Sequence, residues 1–194
     1  AIQMLDTTGI YILDVINENG CENSDTIEVT IIGDAPALSY SIPNEICQGS
    51  EFTYSESSTV PPGNNISDVT WDFGDLDSSF VSSGSHYYLD SGAFNASLEV
   101  FTLEGCKSKD EFIITVYPKP IVSFETENYC PYEEIGFTPS NSYAVPLDSY
   151  NWDIGQGSTT SIDSNPTHVY GISGNYDVEL IALDTNQCAD TVMQ

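Results

Sequence analysis

The sequence predicts an all-β chain of tandem sandwiches, each made of two antiparallel sheets, and three observations carry that prediction. The first is a repeat: "SHYYLDSGAFNASLEV" (85–100) returns as "THVYGISGNYDVELIA" (167–182), so a His-x-Tyr, three spacers, a Gly and an alternating apolar run occur twice. The second is period-two alternation of apolar and polar residues in "YILDVI", "TIEVTII", "FNASLEVFTL" and "YDVELIALD". The third is punctuation by turn-forming stretches such as "ENG", "PPGNN", "LEG" and "GQGS", with no capped helical period between them.

Taken in chain order, the repeat divides the molecule. Residues 1–33 read as the C-terminal part of one unit, because "GIYILDVINENGC" aligns Gly9 with Gly92, Tyr11 with Phe94 and Cys21 with Cys106. Residues 34–118 read as a complete sandwich, and 119–194 as a second one lacking its last strand. Trp71 and Trp152, His86 and His168, and Cys47 and Cys130 recur at almost the same interval. The boundaries fall at "GDAP" (33–36) and "YPKP" (117–120), where proline interrupts strand pairing and stiffens the connection. Such short junctions predict a semi-rigid rod, and a start at Ala1 without Met fits a piece of something longer.

Charge narrows the partners. Thirty acidic residues face three lysines, giving a formal net charge of −27. That field repels nucleic acid and anionic membrane surfaces, and suits a solubilised surface protein. No run approaches the ~18 apolar residues that span a membrane. The cysteines form a second repeat, since the interval from Cys47 to Cys106 nearly equals that from Cys130 to Cys188. The expectation is one disulfide within each complete unit, with the mate of Cys21 lying upstream of Ala1. Closing such a loop stabilises by roughly 4 kcal/mol in the chain-entropy model and implies an oxidising, extracellular setting. Zinc needs Cys and His clustered at short spacing, which this sequence lacks.

"TWDFGD" (70–75) followed by "HYYLDSGAFNASLEV" resembles the PKD domain, an immunoglobulin-like β-sandwich. The family's first motif falls on Trp71, Phe73, Gly74 and Asp75, and its second on His86, Tyr88, Gly92 and Phe94. In the next unit they fall on Trp152, Ile154, Gly155, Gln156 and Gly157, then on His168, Tyr170, Gly174, Tyr176 and Val178. The paired cysteines resemble tandem modules of giant Bacteroidetes surface proteins. That resemblance implies an adhesin, gliding filament or appendage exported by the type IX route.

Duplication favours architecture over catalysis for His86 and His168, because an active site is normally built once. A side chain fixing a sandwich corner through hydrogen bonds explains both copies. No nucleophile elbow accompanies the many Ser and Asp residues, so no enzyme is expected. Trp71 and Trp152 read as core aromatics between sheets. Asp72, Asp75 and Asp77 are calcium candidates through their oxygens, but "DIGQGS" keeps only Asp153, so a solvated turn is preferred and no cofactor is expected. "DTT", "DTI" and "DTV" resemble an O-glycosylation acceptor and make Thr7, Thr26 and Thr191 candidates. The functional expectation is a shaft and lateral packing unit of a long adhesin or filament. Its partners are the other domains of the same chain and further copies of it. The alternatives are a substrate-engaging accessory module of a secreted hydrolase, or a glycan- or cell-binding adhesin using Tyr87, Tyr129, Tyr132, Tyr143 or Tyr150.

Overall fold

The computed structural model describes residues 8–31, 33–127, 130–142 and 145–194, and every regular element among them is a strand. Thr7, Tyr129 and Tyr143 lie outside the described residues. No helix among the described residues is long and apolar enough to cross a membrane. β1 (Gly9–Ile16) and β2 (Glu22–Val29) make an antiparallel hairpin, in register from Gly9↔Val29 to Ile16↔Glu22. Ile10, Ile12, Leu13, Val15 and Ile27 stand exposed on it.

The first full unit contains β3 (Tyr40–Ser41), β4 (Glu45–Cys47), β5 (Phe52–Glu56), β6 (Ile66–Asp72), β7 (Ser78–Ser79), β8 (Ser83–His86), β9 (Gly92–Thr102) and β10 (Lys107–Tyr117). One sheet has the order β3-β5-β8 and the other β4-β10-β9-β6-β7. Alternation decides which residues enter the gap: Ala96, Leu98 and Val100 of β9 and Ile114 and Val116 of β10 are buried, while their chain neighbours face outward or sit at the margin. They close on Phe52 and Tyr54 of the facing sheet, with Trp71 fully buried between. Each of the larger apolar side chains contributes about 1.5–3 kcal/mol by leaving water.

The second unit repeats the plan with β11 (Val122–Glu127), β12 (Glu134–Asn141), β13 (Leu147–Asp153), β14 (Thr160–Ser161), β15 (Thr167–Val169), β16 (Glu179–Asp184) and β17 (Ala189–Met193). Its sheets are β11-β12-β15 and β14-β13-β16-β17, closed on Phe124, Phe137, Leu180 and a fully buried Trp152. The last strand, expected to be missing here, is present: β17 pairs with β16 from Glu179↔Met193 to Leu183↔Ala189, as β10 pairs with β9.

The expected disulfide pairing is corrected by the fold. One bridge forms among the described residues, and it joins Cys47 to Cys188, across the boundary between the units, with Cα atoms 5.5 Å apart. Strand geometry explains why Cys47 does not reach Cys106. β4 runs parallel to β10 and pairs with its end, Cys47 opposite Tyr117, whereas Cys106 immediately precedes the start of β10 at Lys107. The full length of β10 separates the two ends, roughly 35 Å at ~3.3 Å per residue, and a disulfide spans less than about 7 Å between Cα atoms. Cys130 likewise is not bonded to Cys188; it and Cys21 are exposed thiols.

Candidate functional site

Two constructions recur in the molecule, a corner inside each unit and a lock between units. The corner begins where β6 and β13 leave the core. Asp72 Oδ1 accepts the Gly74 N–H and Asp153 Oδ1 accepts the Gly155 N–H, both at 2.9 Å. Gly74 (φ 79°) and Gly155 (φ 72°) are left-handed, and a Cβ on either would collide with backbone, at the carbonyls of Asn95 in β9 and of Asp177 just before β16. The turn therefore lies flat on the sheet. Tyr88 then donates its hydroxyl to the Phe73 carbonyl (2.9 Å), and Tyr170 does the same to Ile154 (2.6 Å).

The histidines complete the corner. His86 Nε2 lies 2.8 Å from Asp75 Oδ2, and His168 Nε2 lies 2.5 Å from Gln156 Oε1. A carboxylate and an amide oxygen only accept, so Nε2–H donates in both. His86 stacks on Phe73 with ring centres 4.0 Å apart. Gly92 opens β9 at φ 149°, while Gly174 has no positive φ, and a Cβ placed on it would meet only the Tyr176 ring, at an ordinary contact distance. Burial, then the charges of Asp75 and Asp72, push the Tyr88 hydroxyl well above the ordinary phenol range. Burial raises Tyr170 as well, with Tyr176 and Asp153 acting in the same direction. A neutral phenol held under a carbonyl is what these environments favour, and that is a structural task.

The three calcium candidates are engaged within the same turn. Asp72 caps Gly74, Asp75 accepts the Asp77 N–H (3.1 Å) besides His86, and Asp77 accepts the Ser78 N–H (2.9 Å). Among the described residues no group of three or more His, Cys, Asp or Glu is arranged to hold a metal. Thr26 lies exposed on β2 opposite Ile12, and Thr191 exposed on β17 opposite Ile181. Of the surface tyrosines, Tyr87 and Tyr132 are exposed and Tyr150 packs on the second core.

The lock between units joins residues that the sequence did not pair with one another. The Gln48 N–H donates to the Tyr117 carbonyl (2.8 Å), which ties the turn carrying Cys47 to the exit of the first unit. Pro118, Lys119 and Pro120 follow. Lys119 Nζ meets Asp190 Oδ1 at 2.8 Å, and Asp190 Oδ2 accepts the Val122 N–H at 3.0 Å. Burial opposes ionisation of Asp190. Its contacts with Lys119 and with the N–H groups of Val122 and Thr191 outweigh that and hold the carboxyl below its usual range. Asp184, itself buried, accepts the N–H groups of Asn186 (2.8 Å) and Cys188 (3.0 Å) through Oδ1, presenting the sulfur to Cys47. The other late hairpins carry the same turn: Thr102 Oγ1 accepts the Cys106 N–H, and Asn17 Oδ1 those of Asn19 and Cys21. A short polar side chain one turn before each hairpin cysteine was the available signal.

The preceding junction is built alike. Ser108, the repeat counterpart of Asp190, donates its hydroxyl to the Pro36 carbonyl at 2.7 Å. A Cβ on Gly33 would lie 3.2 Å from Cys106 Sγ. Each late hairpin therefore rests on the segment that leads into its own unit.

A 37-residue stretch of the chain is 57% identical to part of collagenase ColA of Bacillus cereus, covering 19% of this chain and 4% of that protein's length. Among solved structures, the PKD1 domain of Vibrio anguillarum Epp aligns over 45% of this chain and 99% of its own, at 21% identity and a TM-score of 0.39. The fibronectin(III)-like modules of Clostridium thermocellum CbhA align over 81% of this chain and 92% of theirs, at 18% identity and a TM-score of 0.42. The sequence profile of the PKD domain matches twice in succession, at residues 33–116 and 117–194, in step with the two folded units, and the chain belongs to the PKD domain family.

Proposed function

We propose that this chain is a shaft segment of a large extracellular adhesin or cell-surface filament, working through reach and stiffness with no reaction of its own. The observation that supports this reading most is the Cys47–Cys188 bridge across the unit boundary. Sulfur placed there ties one unit to the other and restrains the angle between them. The Lys119–Asp190 pair and the proline-flanked connection restrain the same joint. A disulfide belongs to an oxidising compartment, which supports an extracellular location, and salt has to screen the strong negative charge before copies pack side by side. Export by the type IX route, lateral packing of copies and glycans on Thr26 or Thr191 belong to the same proposal.

Electron microscopy of the secreted parent protein tests it. The expected image is a rod with a repeat of about 35–45 Å, the length of one sandwich with its loops. Compact particles without a repeat would contradict the shaft. The short match to collagenase ColA favours a second reading, a substrate-engaging module beside a hydrolase. Retention of the purified chain on insoluble collagen or polysaccharide would favour that reading, and a clean flow-through would leave the shaft.

A further inference from the structure

We propose that Cys130 is one half of a second inter-unit clasp, whose other half is the late-hairpin cysteine of another unit of this family. The inference rests on the shaft reading, because it needs a unit seated against the far end of the second sandwich. It starts from an observed bond. Cys47 is the early cysteine of its unit, and its partner Cys188 is the late-hairpin cysteine of the next. Cys130 is the early cysteine of the second unit, one repeat after Cys47. Moving the observed bond one repeat along the chain lands on Cys130 and on a hairpin cysteine beyond Gln194.

The turn that follows Cys130 matches the turn that follows Cys47, which itself closes β4. The Ser50 N–H donates to the Cys47 carbonyl, and the Glu133 N–H to that of Cys130. The Gly49 N–H donates to the Tyr88 carbonyl, and the Tyr132 N–H to that of Tyr170. Gly49 has φ 75° and Tyr132 has φ 67°, so the second turn keeps a left-handed residue even without glycine. Both sulfurs thus stand on one turn, hydrogen-bonded beside the corner tyrosine. Cys47 is half-buried under its partner, while Cys130 is an exposed thiol. At the opposite end, Cys106 lies against Gly33, in the place where the junction below brings Cys188 to its bridge.

The bond forms by exchange with a small-molecule disulfide as oxidant. The Cys130 thiolate attacks one sulfur of it and expels one small thiolate. The hairpin cysteine's thiolate then attacks the mixed disulfide at the Cys130 sulfur and expels the second. Two protein thiols lose two protons and two electrons, and one small disulfide becomes two thiols. Because each clasp starts inside the span of the one before it, successive clasps interlock along the shaft.

The test extends the full chain with a further copy of residues 117–194 after Gln194, folds it with oxidised and reduced glutathione, and maps its disulfides by mass spectrometry. The expected map keeps Cys47–Cys188 and adds a bond from Cys130 to the hairpin cysteine of the added unit. In the Cys130→Ser version that hairpin cysteine becomes fully alkylatable. A Cys130 that stays alkylatable, or that bonds within its own unit, overturns the clasp. Small-angle scattering of the same sample separates the two proposals. A particle lengthened by one unit with Cys130 still free sinks the clasp and keeps the shaft, whereas a particle that does not lengthen sinks the shaft. Should the extended chain not fold, the secreted parent protein decides: Cys130 recovered on a peptide from another unit's hairpin supports the clasp, and Cys130 recovered as a thiol overturns it.

Discussion

Gly74 and Gly174 show how differently two glycines of a repeated motif are used. At Gly74 the backbone is left-handed and a Cβ would strike the Asn95 carbonyl, so Gly74→Ala is expected to destabilise the first unit by about 2–4 kcal/mol in urea unfolding. Gly174→Ala, whose added Cβ would meet only the Tyr176 ring at an ordinary contact distance, should change stability by less than about 0.5 kcal/mol. Equal effects at the two positions would contradict the corner described here. Tyr40 supplies a pH signature. Burial and its hydrogen bond to Asp110 push its hydroxyl up to about 12 from the ordinary 10.0. Its folded pKa is raised, so its stabilising contribution is complete below pH 10 and is lost as the pH rises through about 12. Denaturant midpoints measured across that window should fall in the parent and fall less in Tyr40→Phe.

At the level of elements, the late hairpin and the proline-flanked connection carry the joint. Gln187 sits at φ 64°, where Gly20 and Gly105 occupy the matching turns. Gln187→Gly should therefore stabilise the second unit by up to about 1 kcal/mol in thermal unfolding, and a loss of stability would count against a shared turn. Asp190 gives the joint its acid limit. Its folded pKa is depressed, so its contribution is present above the usual carboxylate value and is lost as the pH falls through the lowered one. The Asp190→Asn protein should lack that acid-side loss. The strands themselves were legible, because "FNASLEVFTL" alternates in sequence as β9 alternates in burial. The turn caps Asn17, Thr102 and Asp184 left a fainter trace, since three different residue types do one job there and share only a short polar side chain four residues before the cysteine. Lys119 of "YPKP" and Asp190 of "DTV" stand far apart along the chain and nothing in either stretch pairs them, so only the folded chain brings them together.

Across the whole molecule, the sulfur pairing is where sequence reasoning ran out, for a definite reason. The near-equal intervals from Cys47 to Cys106 and from Cys130 to Cys188 repeat equally well whether early and late cysteines pair within a unit or one unit apart. The choice is made by direction: β4 lies parallel to β10 at its far end, which puts Cys47 at the exit of one sandwich and within reach of the next hairpin. Load applied to the chain then passes from Cys47 to Cys188 through sulfur, leaving the chain between them slack. Pulling single molecules by their ends, before and after adding reductant, reads this out. A Cys47–Cys188 bridge predicts one added length of about 490 Å, from a sequence separation of 141 at ~3.5 Å per residue. Two separate gains of about 200 Å, the length of loops closed within each unit, would contradict it.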